Sequence, residues 1–533
     1  MASPQPSRRQ ALAALSAGGL LAATCAEASA APPAVPDVEA VDALVLPFLK
    51  AFDIPGAGVA IVRTGQPVIA RGYGVRQLGL PAPAGPHTQF AIASNSKAFL
   101  TASLAMLVDA GKLGWEDPVT DHLPEFRMYD PAVTRMMTVR DLLTHRSGLP
   151  LGAGDLLQFP RTDKTAEDIL RALPYFKPAR GFRAGYAYDN SLYIVAGLLL
   201  QRVSGLGWDD YVRQRIFKPL GMVDAVTNPT LPLNPDHAAR HARLGPPVIG
   251  MGPLRVIPAD ESAVIGPAGG IAISATEIAP WLQVQLDHGA LPGGGRLWSA
   301  AQSAEMWKPQ TIVSSGPGPT PEAPQRSVIA AYALGWGVTD YRGRRMLSHG
   351  GGLAGQITRV CLLPDQNIGL AVFTNSQEED AVSALRYALA DHLLGAPAFD
   401  WVGFALKARD TSEADVRKAV AANGAFVAPA GGPTLPLDAY VGRYRDPWYG
   451  DILVTRSGGG LAIDFTHTPA FKSVLEPFGA DAFRTHFSPI AGEDAVVTFA
   501  LHDGAVSGVT MRPLSPLADF SFDYQDLAFT PVR

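Results

Sequence analysis

The chain has 533 residues, 47% hydrophobic and 17% charged, with 54 glycines, 46 prolines, two cysteines and a formal net charge of -5. At roughly 100–200 residues per domain, this length predicts two or three domains with at least one large buried core. The ordinary composition excludes a disordered or collagen-like chain, and the slightly acidic balance leaves no electrostatic footprint for DNA or RNA.

Residues 1–30 read as a secretory signal peptide. Arg8-Arg9 supplies the positive region, Ala11 to Thr24 a short apolar run, and Ala28-Ser29-Ala30 the cleavage site. Ser7-Arg8-Arg9-Gln10-Ala11-Leu12 also fits a twin-arginine signal, which exports a folded protein. The expected location is therefore periplasmic or secreted. The apolar run is too short, and too rich in Ala and Gly, to span a bilayer. Cleavage after Ala30 removes Cys25 and leaves Cys361 alone, so no disulfide is expected in the exported protein. Too few cysteines remain for an all-cysteine zinc site. Cys361, in the apolar run Val360-Cys361-Leu362-Leu363, reads as a buried hydrophobe, because nothing near it would lower its pKa.

Val38 to Phe52 has helical apolar spacing, and Gly58 to Val62 with Val68 to Ala70 flank Thr64-Gly65-Gln66-Pro67 as a hairpin. Ser96 to Leu113 predicts a strongly apolar helix, and Leu192 to Val203 another. Gly-Pro-rich loops separate them over 145–190 and 228–270. Strands return at Ile271 to Ile273, Gly335 to Val338, Arg345 to Ser348, Ile357 to Leu363 and Ile368 to Phe373. The helix Ala381 to Leu394 closes this part. A hairpin, a helical middle and returning strands imply one α+β domain whose sheet uses both ends of the chain. Ser314 to Pro324 reads as an exposed loop. Ser412 to Ala422 predicts a helical connector, and residues 429–433 a Pro-Gly linker. From Tyr440 onward, short strands at Gly450 to Thr455, Leu461 to Phe465, Ala495 to Leu501 and Val506 to Arg512 predict a separate all-β module. The expected division is 1–30 signal peptide, 31–396 catalytic domain, 397–435 connector and linker, and 436–533 β module.

Ser94-Asn95-Ser96-Lys97 sits where the strand-like Phe90-Ala91-Ile92 runs into the long helix. That spacing puts both side chains on one helical face. Serine needs a base, and a desolvated lysine is neutral enough to take its proton. The helix dipole and the Ser94 backbone N–H would help hold an oxyanion. The competing reading is an N-cap serine and a solvated lysine. Tyr188-Asp189-Asn190 lies in a loop before the second helix; the tyrosine can relay a proton and the asparagine can orient Lys97 or a substrate carbonyl. Tyr186 competes for the tyrosine's role, and an aromatic packing residue before a helix cap is the blander alternative. His349-Gly350-Gly351-Gly352 follows a strand, where the glycines permit close approach of a substrate backbone and His349 could assist a leaving group. Its alternative is a Gly-rich turn. His237 and His241, four apart, read as surface residues rather than zinc ligands. The absence of G-x-S-x-G argues against an α/β-hydrolase.

Ser-x-x-Lys, Tyr-x-Asn and His-Gly-Gly on a late strand, in that order, resemble the serine β-lactamase and penicillin-binding-protein family. The stretches Asp141 to Leu149, Pro267 to Ile271 and Tyr332 to Trp336 agree, and the likeness spans about residues 36–396, nearest the class C β-lactamase, D-aminopeptidase and esterase branch. The resemblance implies an antiparallel sheet with a helical subdomain. It also implies Ser94 as acylated nucleophile, Lys97 as its base, Tyr188 as second acid/base and Asn190 as substrate-orienting. The Ser94 and Gly352 backbone N–H groups would form the oxyanion hole. His349 stands where β-lactamases carry lysine, which puts β-lactamase activity in doubt and resembles the family's peptidases and esterases. Tyr440-Val441-Gly442-Arg443-Tyr444 resembles the lipocalin-like barrel appended to several of those hydrolases. The expectation is a metal- and cofactor-independent serine hydrolase of small peptides or related amides, linearised cyclic or D-residue peptides included. A carboxylesterase and a non-catalytic peptide- or peptidoglycan-binding protein on the same scaffold are the alternatives.

Overall fold

The computed structural model describes residues 37–246, 248–423, 427–490 and 492–532. The expected signal peptide, Cys25 included, lies outside them. Strands β1 (Gly56–Arg63) and β2 (Ile69–Gly74) form the expected hairpin. β3 (Gln89–Ala91) leads to the site, and β4 (Arg240–Arg243) pairs with β5 (Leu254–Ile257). β6 (Ala272–Ser274) precedes β7 (Thr311–Ser315), β8 (Ile329–Tyr332), β9 (Gly337–Tyr341), β10 (Arg344–Leu353), β11 (Gln356–Leu363) and β12 (Ile368–Thr374). The main sheet has eight antiparallel strands in the order β2-β1-β12-β11-β10-β9-β8-β7, so both ends of the domain do share it. The strand expected at Ile271 to Ile273 is an exception: β6 pairs with β3 in a separate two-stranded sheet, because β3 leaves the hairpin to carry the chain toward the helical side.

Strands β1, β11 and β12 read as near-continuous apolar runs because both faces are covered. In β1, Val59 and Ile61 join a cluster with Val41, Val45, Phe48, Leu385 and Leu389 from the Val38–Ala51 and Glu379–Leu394 helices. Ala60 and Val62 point the other way, toward the Ser96–Asp109 helix and the helix Ala275–Leu286. The Ser96–Asp109 helix is buried nearly all round, which explains its apolar sequence. Phe99 stacks on Trp281 with ring centroids 3.8 Å apart.

Cys361 lies on β11 in the first of these clusters, fully buried, and burial pushes its thiol up to about 12. It is expected to resist a thiol reagent at pH 8 in the native protein and to react stoichiometrically in guanidinium chloride. Rapid native labelling would place it on an accessible surface instead.

Beyond the sheet, the Trp401–Asn423 helix packs back on the Val38–Ala51 side, starting earlier than the expected connector because Trp401 and Ala405 are buried there. The C-terminal part is a closed antiparallel barrel of eight strands, from β13 (Gly442–Asp446) to β20 (Ala528–Pro531). Tyr440 and Tyr444 belong to its core: Tyr440 packs edge-on to Phe483 and Phe499, and the Tyr444 hydroxyl donates to the Tyr440 carbonyl at 2.7 Å. The barrel is seated on the helical side of the first domain. Trp448 packs edge-on to Phe176 at 5.3 Å, and His467 Nδ1 lies 2.8 Å from an Asp163 carboxylate oxygen.

Candidate active site

Ser94 sits on a 3-10 turn, Ala93–Asn95, between β3 and the Ser96–Asp109 helix. Ala93 has φ of +48°, a conformation that L side chains avoid unless their surroundings impose it. Several bonds impose it here. Asn95 Nδ2 donates to the Ile92 carbonyl at 2.9 Å and to Thr358 Oγ1 at 2.8 Å. Ser96 Oγ donates to the Ala93 carbonyl and accepts from the Ile271 N–H. Ser94 is half-buried.

Lys97, on the first turn of the helix, is fully buried. Its Nζ donates to Asn190 Oδ1 and to the Ala268 carbonyl, each at 2.7 Å, and lies 3.2 Å from Ser94 Oγ. Burial pushes its pKa down to about 7; the nearby Asp155 and Asp189 carboxyls oppose that shift and are outweighed. A substantial neutral fraction therefore exists near pH 7, with a lone pair available beside the serine. Asn190 stands at the start of the Ser191–Ser204 helix, and its Nδ2 reaches both Asp155 carboxylate oxygens at 3.2 Å.

Tyr188 is brought to the same point, with the Lys97 ammonium 4.8 Å from its ring centroid. Burial raises its pKa well above the ordinary value, while Ser94 lies close enough to favour ionisation without closing a well-formed hydrogen bond. Tyr186 stands apart, packed on His145 and Tyr332.

His349 is within the site but its nitrogens are occupied. It lies on β10, which runs on to Leu353, so His-Gly-Gly-Gly is strand and not a turn. Nδ1 is 2.6 Å from the Gly350 carbonyl and must donate to it, leaving Nε2 to accept from the Tyr332 hydroxyl at 2.9 Å. Burial, helped by the Lys97 charge, pulls the imidazole down to about 3. The ring is neutral, and its geometry is that of a positioned wall next to Tyr188 rather than of a poised proton donor. Gly352 is exposed on the same strand. Gly351 faces inward, where an added Cβ would meet the Ile92 carbonyl oxygen at 2.1 Å.

His241 departs from the surface position expected of it. It lies on β4, fully buried, with Nδ1 at 2.7 Å from the Asn375 carbonyl and Nε2 accepting from the Leu78 N–H. Both nitrogens serve backbone groups, and His237 lies off that strand.

Some contributors carry no recognisable spacing. Asp155 lies in a glycine-rich turn, and Tyr332 and Tyr193 close a ring of aromatics around His145. The Ala268 carbonyl could be reached from sequence only through the Pro267-Ala268-Gly269-Gly270 stretch, where Gly197 leaves the space that Pro267 fills. The motif Asp141 to Leu149 has a structural role: Asp141 accepts from Arg146 at 2.9 Å and from Arg183.

Known proteins resemble the chain along most of its length. A β-lactamase family model matches residues 41–394, and a model of a domain of unknown function matches 428–531. An unguisins hydrolase of Aspergillus violaceofuscus is 28% identical over 505 residues, covering 86% of this chain and 84% of that protein. One from Aspergillus campestris is 30% identical over 435 residues, covering 76% and 75%. Among solved structures, an octameric penicillin-binding protein homologue from Pyrococcus abyssi aligns with TM-score 0.57 at 19% identity, over 93% of this chain and 100% of that one. A D-amino acid amidase from Ochrobactrum anthropi aligns with TM-score 0.53 at 22% identity, over 67% and 98%. At these identities the two solved structures share the fold with this chain.

Proposed function

The chain belongs to the β-lactamase family of serine hydrolases, and from that premise we propose that it hydrolyses small peptides or related amides through an acyl-enzyme on Ser94. The observation that carries the reading is a fully buried amine held 3.2 Å from the serine hydroxyl, where burial pushes its pKa down to about 7. Neutral Lys97 accepts the Ser94 proton as Oγ attacks the carbonyl carbon, and the backbone N–H groups of Ser94 and Gly352 receive the oxyanion. Tyr188, held protonated by its burial, passes its proton to the departing amine and regains one from the Lys97 ammonium. The serine proton thus ends on the leaving group. A water molecule then attacks the ester, with the same groups working in reverse. Amine leaving groups need that proton far more than alkoxides do, so this arrangement is suited to amides, and it serves the easier cleavage of esters as well. The two relatives named as unguisins hydrolases make unguisins a rational member of the substrate panel.

Intact-mass spectrometry after treatment with a fluorophosphonate is expected to show one adduct per chain, mapped to Ser94 and missing from Ser94→Ala. Acyl adducts across esters, β-lactams and L- and D-peptides then rank the substrates. A wild-type protein that stays unlabelled, or labelling unaffected by Ser94→Ala, overturns the reading.

A further inference from the structure

Between the two domains, one segment of the barrel reaches the catalytic machinery. Residues 519–523 lie between β19, Ala505–Pro513, and β20. The Asp523 carboxyl group, fully buried and pushed well above the usual carboxylate range by that burial, accepts from the Gly154 N–H at 2.8 Å and the Leu156 N–H at 3.3 Å. Both belong to the turn that carries Asp155. Ser521 Oγ donates to Asp155 Oδ2 at 3.0 Å, and Gln158 Nε2 donates to Oδ1 at 2.6 Å. Phe520 presses on Gly152, where an added Cβ would meet its ring at 2.7 Å, and turns edge-on to Tyr188 with centroids 6.4 Å apart. From Asp155 the bonds continue inward: both oxygens accept from Asn190 Nδ2, and Asn190 Oδ1 accepts from Lys97 Nζ at 2.7 Å. A continuous chain of hydrogen bonds therefore joins the barrel to the amine next to Ser94.

We propose that the C-terminal barrel is a positioning element of the active site: Ser521 and Asp523 fix the turn around Asp155, and Asp155 holds Asn190 and, through it, the amine of Lys97. The inference rests on the serine-nucleophile reading above. An asparagine amide is symmetric enough in shape to rotate, and only its two partners decide which end faces the lysine. The Asp155 carboxylate accepts and cannot donate when ionised, so it binds the NH2 end and leaves Oδ1 for Lys97. Without the barrel contact the carboxylate loses one of its donors and the turn loses both Asp523 bonds.

The charged and titratable groups around the amine are Asp155, Asp189, His145, His349, Tyr188 and Tyr193, and those around Asp523 are Asp155 and Asp526. The two histidines are held neutral by burial, so Asp155 and Asp189 are the groups that raise the lysine's affinity for its proton. The Ser521 hydrogen bond in turn favours the ionised form of Asp155. Loss of either Ser521 or the Asp155 charge should make Lys97 easier to deprotonate while leaving it less well aimed.

The test uses the full chain with Ser521→Ala, Ser521→Thr and Asp155→Asn, and measures the rate of Ser94 labelling by a fluorophosphonate as a function of pH, with thermal melting alongside. Ser521→Ala is expected to label about five- to tenfold more slowly on the pH plateau, the upper part of what one ordinary hydrogen bond contributes. The acid limb should move to lower pH, Asp155→Asn should move it the same way, and Ser521→Thr should restore both rate and limb. A packing role alone would lower the melting temperature and leave the limb where it was. Ser521→Ala protein that labels with the wild-type rate and profile overturns the proposal while the serine-nucleophile reading stands. Wild-type protein that is not labelled at Ser94 overturns both.

Discussion

Lys97→Met is expected to lower turnover by about 10²–10⁴-fold, the range lost with a positioned general base. The variant keeps the volume of the buried stem and removes the amine nitrogen 3.2 Å from Ser94 Oγ. In the wild type, activity should rise with pH through an acid limb near pH 7, because the amine must be neutral to accept the serine proton and its pKa is pushed down to about 7. The same shift has a consequence for stability, with a definite sign. An unfolded chain holds this lysine charged up to about pH 10.4, whereas the folded protein releases the proton from about pH 7 upward. Between those values the unfolded state binds more protons, so this group makes stability increase as pH rises. Asp155 and Asp189 act in the opposite sense lower down: burial lifts both to about 7, and their contribution falls as pH rises from about 4 toward neutrality. The melting temperature of the wild type relative to Lys97→Met should therefore climb between pH 7 and 10. A flat difference over that interval would show that Lys97 is charged and solvated in the folded protein, and wild-type turnover that is level from pH 5 to 8 would show that no proton comes off it in that range.

The residues that converge here were legible to different degrees, for physical reasons. Ser94 and Lys97 share a helical turn, so their approach follows from helix geometry alone. Tyr188 and Asn190 reach them because the Ser191–Ser204 helix packs on the Ser96–Asp109 helix, which the apolar character of both segments makes necessary. His349 could be placed on a late strand, but its state could not: the partner that occupies Nε2 is Tyr332 on β8, and only the order of strands in the sheet brings the two together. His241 misleads for the same reason, since the groups that satisfy it come from Leu78 and Asn375, far away along the chain. In the barrel, the strands with strong apolar alternation were readable, whereas Lys472–Pro477 and Ala482–Arg484 are short, partly exposed and rich in charge. The segment around Ser521 has no periodicity at all. Its meaning lies in what it touches, and long-range docking of a loop leaves no mark on local spacing.

Gly351→Ala tests how tightly the sheet and the nucleophile's turn are joined. A Cβ at this position would stand 2.1 Å from the Ile92 carbonyl oxygen, 2.4 Å from Thr358 Oγ1 and 2.8 Å from Asn95 Nδ2. None of these is the loose end of a flexible chain. Ile92 and Asn95 bracket Ser94, and Thr358 Oγ1 binds both of them, donating to the Ile92 carbonyl at 3.0 Å and accepting from Asn95. Room for one methyl group can come only from moving β10 away from the turn or from breaking that knot. Overpacking of this kind costs about 1–3 kcal/mol, and a displacement of about 1 Å between reacting groups costs about 10²-fold in rate. Both effects are expected together, read as a lower melting temperature and slower labelling of Ser94. Gly350→Ala supplies the comparison on the same strand. Its added Cβ would meet the Arg359 guanidinium at 2.8 Å, which is held by Ser383, Glu379 and the Thr358 carbonyl and does not touch the Ser94 turn, so stability should fall while labelling of Ser94 suffers less than in Gly351→Ala. If Gly351→Ala melts and labels like the wild type, β10 does not press against the turn of Ser94, and the proposed pairing of the Ser94 and Gly352 N–H groups around one oxyanion loses its structural basis.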